Sequence, residues 1–235
     1  MVMNDLKIQQ VWNYSYAEFS EHHIQSREQL KTSHAIRNCK TGILGATISQ
    51  CDDCGHIEYH NNSCRNRNCP NCQAVKKELW VDKRRAEVID SPYFHVVFTL
   101  PHELNPLLYN NQKLLYGLLH RCSAEILLEL SADKKYLGAT PGIIQVLHTW
   151  NQTLDYHVHM HCIVSGGITP DGKIRKSKGK FFIPVFVLRD KFKGKFLYHL
   201  NVLYQSDVLK VPVPFYRQET SFCWNTFKDS LYQKD

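Results

Sequence analysis

The pattern of apolar and polar positions changes period several times along the chain, and each change predicts an element. Over 5–35, the stretch WNYSYAEFSEHHIQSREQL has apolar residues at helical spacing and no Pro or Gly, which predicts helix throughout. TGILGATISQ is short and β-prone, and 51–72 is polar, with a run of Asn, Arg and Cys. AVKKELWVDKRRAEVI returns to helical spacing with a strongly basic outer face, and SPY ends it. YFHVVFTL has the β-branched and aromatic content of a buried strand, stopped by Pro101. KLLYGLLHRCSAEILLEL reads as an amphipathic helix. GIIQVLHTW and TLDYHVHMHCIVSG read as strands, TPDGK as a turn and KFFIPVFV as a further strand. LRDKFKGKFLYHLNVLYQ reads as a basic helix carrying Gly194 at a local cost, and the tail reads as loop then helix.

The elements divide the chain into a helical, metal-bearing front, 1–90, and a body, 91–235, in which helices and strands mix without βα alternation. That order predicts an α+β fold, with an antiparallel sheet and helices on one face.

Composition changes this picture in two places. Lys and Arg number 29 against 22 Asp and Glu, a formal charge of +7, which favours an anionic partner such as nucleic acid. The start, MVMNDLKIQQ, lacks the apolar run of a signal peptide, and no window is long and apolar enough to span a membrane. The expectation is a soluble, cytoplasmic protein. Of nine cysteines, five fall within 51–72, while Cys39, Cys122, Cys162 and Cys223 lie outside. An odd, clustered set without a secretion signal points to metal rather than to disulfides.

In CDDCGHIEYHNNSCRNRNCPNC, Cys51 and Cys54 make one C-x-x-C pair, and Cys69 and Cys72 a second. Two such turns can each give two thiolates to one tetrahedral Zn²⁺. Cys51, Cys54, Cys69 and Cys72 are the expected ligands, with Cys64 as the alternative to one of them and His56 and His60 as bystanders. Four thiolates leave no open position for water or substrate, so the role is structural. Arg65, Arg67, Lys76 and Lys77 surround the cluster, and these cations are either a DNA-binding edge or a solvated basic surface.

TLDYHVHMHCIVSGG places His157, His159 and His161 on one face of a strand and Tyr156, Val158, Met160, Cys162 and Val164 on the other. Neighbouring imidazoles in the row are roughly 7 Å apart along the strand, and the outer two roughly 13 Å. An adjacent pair converges easily on one ion with bonds of about 2 Å. The expectation is two ligands from this strand and a third that is either His157, bent inward, or a polar side chain from elsewhere.

Together these motifs resemble a known family. C-x-x-C-G-H…SCRNR-x-CP-x-C, Phe98-Thr99-Leu100-Pro101, VLHTW from Val146 to Trp150, H-x-H-x-HC-x-V-x-GG from His157 to Gly167, and PVFVLRDKFKGKFL over 184–197 are similar to the rolling-circle transposases of the insertion sequence 91 family. These are HUH endonucleases, named for histidine–hydrophobe–histidine. The resemblance implies an HUH-like antiparallel sheet and a chain that nicks single-stranded DNA at transposon ends. It implies Mg²⁺ or Mn²⁺ on His159 and His161, with Met160 as the hydrophobe, and a tyrosine that attacks the phosphate. Val158 stands where the family commonly has proline. The family's tyrosine lies on a helix beyond a segment resembling this tail, and none of Tyr204, Tyr216 or Tyr232 sits in a matching context. The expectation is a transposase truncated before its nucleophile and inactive alone. Two alternatives compete with it: a non-catalytic, zinc-containing DNA-binding remnant, and an unrelated metallohydrolase with Asp155 as its only local candidate base.

Overall fold

A computed structural model describes residues 8–177, 182–212 and 221–233. The chain divides into two compact units, Met1–Val88 and Ile89–Asp235.

The first unit begins with two helices where the periodicity predicts one, α1 (Ile8–His22) and α2 (Arg27–Arg37). Ser26 makes the break. Its hydroxyl accepts from the Gln29 amide at 3.2 Å, and the Gln29 side chain accepts from the Ser26 amide at 2.7 Å. This reciprocal cap satisfies amides that a continuous helix would have satisfied differently, and a cap of this type contributes about 1 kcal/mol. β1 (Ala46–Gln50) and β2 (Ile57–Asn61) form an antiparallel hairpin, with Ile48 opposite Tyr59. α3 (Pro70–Ala86) then starts on Pro70, whose fixed φ suits a first helical turn.

Very little apolar surface is buried here. The buried hydrophobic cluster consists of Ile36, Cys39 and Cys69, with Trp12, Cys64 and Cys72 packed against it. Every residue of the hairpin strands is exposed, and α3 has no buried residue. So small a core does not supply the stability of a domain by burial alone. The four cysteines at its centre are therefore the structural feature to explain.

The second unit is built on a sheet of order β3-β5-β4: β3 (Phe94–Thr99), β4 (Thr140–Trp150) and β5 (Tyr156–Ile168), all antiparallel. A short β6 (Ile174–Arg175) pairs with the end of β5. Gly167 is required where these meet: a Cβ there would lie 2.8 Å from the Thr140 carbonyl oxygen. A 3₁₀ turn (His102–Leu104) leads into α4 (Asn105–Asn110) and the long α5 (Gln112–Ala132). KFFIPVFV is not a strand in its described part. Pro184 caps α6 (Val185–Gln205), so the segment turns into helix, and 178–181 lie outside the described residues. α7 (Ser221–Tyr232) follows.

One face of the sheet is covered. Val158, Met160, Cys162 and Val164 of β5 are fully buried, in one core with Leu115, Leu119, Ile126 and Leu127 of α5 and Phe192, Phe196 and Leu200 of α6. Alternation along β5 then fixes the other face, because a residue whose neighbours point into the helices must point away from them. The architecture is α+β with helices behind an antiparallel sheet. Val158 packs in this core without disturbing the strand. No described helix is long and apolar enough to cross a membrane.

Candidate metal centres

The uncovered face of the sheet gathers histidines from three strands. Register sets His148 of β4 directly opposite His159 and Val146 opposite His161; on the other side Val97 of β3 lies opposite His161. One ligand nitrogen from each of His148, His159 and His161 lies within 4.8 Å of the others. Their ring centroids are 5.3 Å apart for His148–His159, 4.3 Å for His148–His161 and 4.7 Å for His159–His161. Bonds of about 2.1 Å to one ion would draw the nitrogens to roughly 3.4 Å apart, a small inward adjustment.

His157, the sequence candidate for a third ligand, is not in this group, although its ring centroid is 5.1 Å from that of His159. The reason is strand geometry. His157 is two same-face steps, roughly 13 Å along the strand, from His161, whereas His148 lies directly across the ladder from His159 and its ring centroid is 4.3 Å from that of His161. The signal was present in VLHTW, which carries His148, but single-strand spacing does not reveal a partner on a neighbouring strand.

Hydrogen bonds orient two of these rings. His159 Nδ1 is 3.1 Å from the His157 carbonyl oxygen and donates to it, which leaves Nε2 with its lone pair. His161 Nδ1 is 2.7 Å from Nε2 of His95, whose ring stacks on it with centroids 5.0 Å apart. If His161 Nδ1 carries the proton, His95 accepts it, and His161 Nε2 is likewise left free. Partners of this kind set the tautomer of a metal-binding imidazole. Burial, then the neighbouring His159, holds His148 below the usual histidine range. Burial, then His148, His159 and His95, does the same for His161. Both rings thus favour the neutral form that coordinates metal. His95, on β3, meets this group of histidines, and the sequence reading did not single it out.

The cysteines group differently from their sequence pairing. Cys39, Cys64, Cys69 and Cys72 have sulfurs within 4.8 Å of one another, with Cys39–Cys72 at 3.5 Å and Cys64–Cys72 at 3.6 Å. Tetrahedral Zn²⁺ with bonds of about 2.3 Å places its sulfurs roughly 3.8 Å apart, so the set fits the ion. Cys51 and Cys54 are exposed at the turn between β1 and β2. The hairpin causes this separation. Its open end, where the Lys40 amide donates to Asn62, brings Cys39 and Cys64 near each other, while five residues of strand, about 17 Å, carry Cys51 and Cys54 away. Cys39 was legible only as an outlying cysteine.

The thiols are unequal. Burial pushes Cys64 up to about 12. Burial also opposes ionisation of Cys72, but hydrogen bonds from Cys39 and Cys64 and from the Arg65 amide outweigh it and bring Cys72 down to about 7. Cys72 is thus the thiol poised to ionise first, and metal would complete the deprotonation of the rest.

Arg65, Arg67, Lys76 and Lys77 are all exposed, and none takes part in a salt bridge among the described residues. Asp155 sits in the turn before β5, held by Thr153 and Asn151, whose hydrogen bonds lower its pKa. Tyr204 stacks on Trp224 with centroids 4.0 Å apart. The Tyr232 carbonyl accepts from Lys193, and Tyr216 lies outside the described residues.

The four-thiol cluster thus lies in the first unit and the three sheet histidines in the second. Residues 11–100 match a family described as "Transposase zinc-binding domain", and 142–230 match one described as "Putative transposase". Both stretches are similar to transposases of the insertion sequence 91 family. "Putative transposase y4qJ" of Sinorhizobium fredii is 43% identical over 199 residues, covering 84% of this chain and 50% of that protein. "Transposase for insertion sequence element IS801" of Pseudomonas savastanoi pv. phaseolicola is 33% identical over 147 residues, covering 61% of this chain and 35% of that protein. The chain spans half or less of the length of these two curated relatives. A solved conjugative relaxase, TrwC, in a copper-bound complex with oriT DNA aligns over 51% of this chain and 47% of its own, at 20% identity and a TM-score of 0.39, a likeness too slight for comparison residue by residue.

Proposed function

We propose that this chain supplies the DNA-binding and metal-binding parts of a transposase that cleaves single-stranded DNA at transposon ends by a metal-assisted tyrosine mechanism. The observation that carries the reading is the meeting of His148, His159 and His161 on the sheet face that the helices leave uncovered, in a chain similar to this family.

His148, His159 and His161 would hold the divalent ion, with His95 and the His157 carbonyl fixing the rings. When bound, the ion supplies Lewis acidity toward a phosphoryl oxygen. Three imidazoles are borderline ligands, which suit Mn²⁺ or a later first-row ion better than Mg²⁺, a cation that prefers oxygen. Cys39, Cys64, Cys69 and Cys72 would hold Zn²⁺ and act as the missing core of the first unit. Arg65, Arg67, Lys76 and Lys77 would meet phosphates, contacts that position DNA without reading its sequence. Of the three tyrosines weighed, Tyr204 is engaged in its stack with Trp224, and the nucleophile stays unassigned.

The test uses the full chain and single-stranded oligonucleotides from the ends of its own element. Binding should weaken as salt rises, because phosphate contacts release counterions. His159→Ala should lose Mn²⁺ binding and keep its zinc. Salt-independent DNA binding, or unchanged Mn²⁺ affinity in that variant, defeats the proposal. Cleavage with Mn²⁺ separates a nuclease from the second reading, a non-catalytic DNA-binding remnant, which the engagement of Tyr204 favours.

A further inference from the structure

The thiol pair left out of the four-cysteine cluster is itself arranged as half of a metal site. The Cys51 amide donates to the His56 carbonyl and the Cys51 carbonyl accepts from Gly55, both at 2.9 Å, which closes a tight turn at the hairpin tip. Gly55 has φ +69°, a conformation that glycine adopts freely. Both thiols are exposed on this turn, at the spacing by which a C-x-x-C turn gives two thiolates to one ion. The complete cluster uses a pair of the same spacing, Cys69 and Cys72, together with Cys39 and Cys64.

The difference lies in number. Among the described residues no third His, Cys, Asp or Glu joins Cys51 and Cys54 at metal-binding spacing. His60 pairs instead with Glu58 at 3.2 Å, on the other face of the hairpin. The opposite face carries three exposed apolar side chains beside Gln50, which lies across from Ile57 at the tip. Strand register puts Ile48, Tyr59 and Ile57 on one side, with exposures of 61%, 68% and 47%. A lone two-stranded hairpin is marginal in water, and an exposed apolar face on it marks a contact surface.

We propose that Cys51 and Cys54 form half of a second zinc site, completed by the same two cysteines of a second copy of this chain, so that one ion joins two hairpin tips. A second copy brings two thiolates in the same geometry, which closes the four-sulfur tetrahedron that structural Zn²⁺ favours. The contact is isologous, with a two-fold axis through the ion, and it lets the two apolar hairpin faces shield each other. Nothing in it depends on the histidine site or on cleavage.

The experiment reconstitutes the reduced, metal-free full chain with Zn²⁺ alone. Zinc content should exceed that of the Cys51→Ser/Cys54→Ser variant by about half an ion per chain, since the four-cysteine cluster and the histidine site load equally in both, and sedimentation should show a zinc-dependent dimer. A weak chelator should remove the tip zinc first and dissociate the dimer. Cys51→Ser/Cys54→Ser should stay monomeric with unchanged far-ultraviolet circular dichroism. Cys54→His, which keeps a zinc ligand at that position, should still dimerise. A parent chain that stays monomeric at saturating Zn²⁺ overturns the proposal, and so does a dimer that persists in the double serine variant. A monomer that holds one full zinc more than the double serine variant would also overturn it, because the chain would then complete the tip by itself.

Discussion

His148→Ala removes the one triad imidazole that comes from β4, and its consequence can be bounded from the site. The His148 ring is 4.3 Å from His161 and 5.3 Å from His159, and the three nitrogens share one 4.8 Å neighbourhood. Outer partners of metal-bound histidines typically contribute 10–100-fold in affinity, and losing a ligand should reach at least the top of that range. The expected loss in Mn²⁺ affinity is therefore about 100-fold or more, roughly 2.7 kcal/mol. His157→Ala is the matched control. It deletes a ring outside the triad but keeps the backbone carbonyl that receives His159 Nδ1. Its Mn²⁺ affinity should stay within about twofold of the parent. The assay is titration with Mn²⁺ followed by the paramagnetic resonance of the free ion, with zinc content measured in parallel as a check on folding. A His148→Ala chain that binds within a few-fold of the parent refutes the reasoning. So does an equal loss in the two variants, because the third ligand would then be on β5.

Three further outcomes are expected. His95→Phe keeps a ring stacked on His161 but loses the nitrogen it meets at 2.7 Å, so Mn²⁺ affinity should fall about 10–100-fold with little change in melting temperature; unchanged affinity would remove His95 from the site. His148 and His161 are held below the ordinary histidine value of about 6.5, so the unfolded chain takes up protons first as pH falls. Their contribution to stability is present above about pH 6.5 and is lost as pH drops through the lower folded values, which denaturant titrations with and without His148→Gln would detect as a reduced acid sensitivity in the variant. Cys39→Ser should release the tightly held zinc and unfold the first unit, whereas Cys51→Ser should leave that zinc in place, as metal analysis and circular dichroism would show; the opposite pattern would restore Cys51 to the main cluster.

Alternation along TLDYHVHMHCIVSGG determined, without any partner, that Val158, Met160, Cys162 and Val164 face a core and that the histidines face away. Period and breaker residues likewise determined α3, α5, α6 and the strands that precede Pro101 and TPDGK, because these depend on interactions a few residues apart. The break at Ser26 was also local, written as a Ser-x-x-Gln capping box within a continuous helical pattern. What the linear pattern did not decide was which distant residues meet. The β4–β5 register brings His148 opposite His159, β3 brings His95 to His161, and the hairpin brings Cys39 to Cys64 while carrying Cys51 and Cys54 off. Spacing within one segment limits how far its own side chains can reach, but a ladder places residues from separate segments about 5 Å apart, and only the folded sheet says which ones.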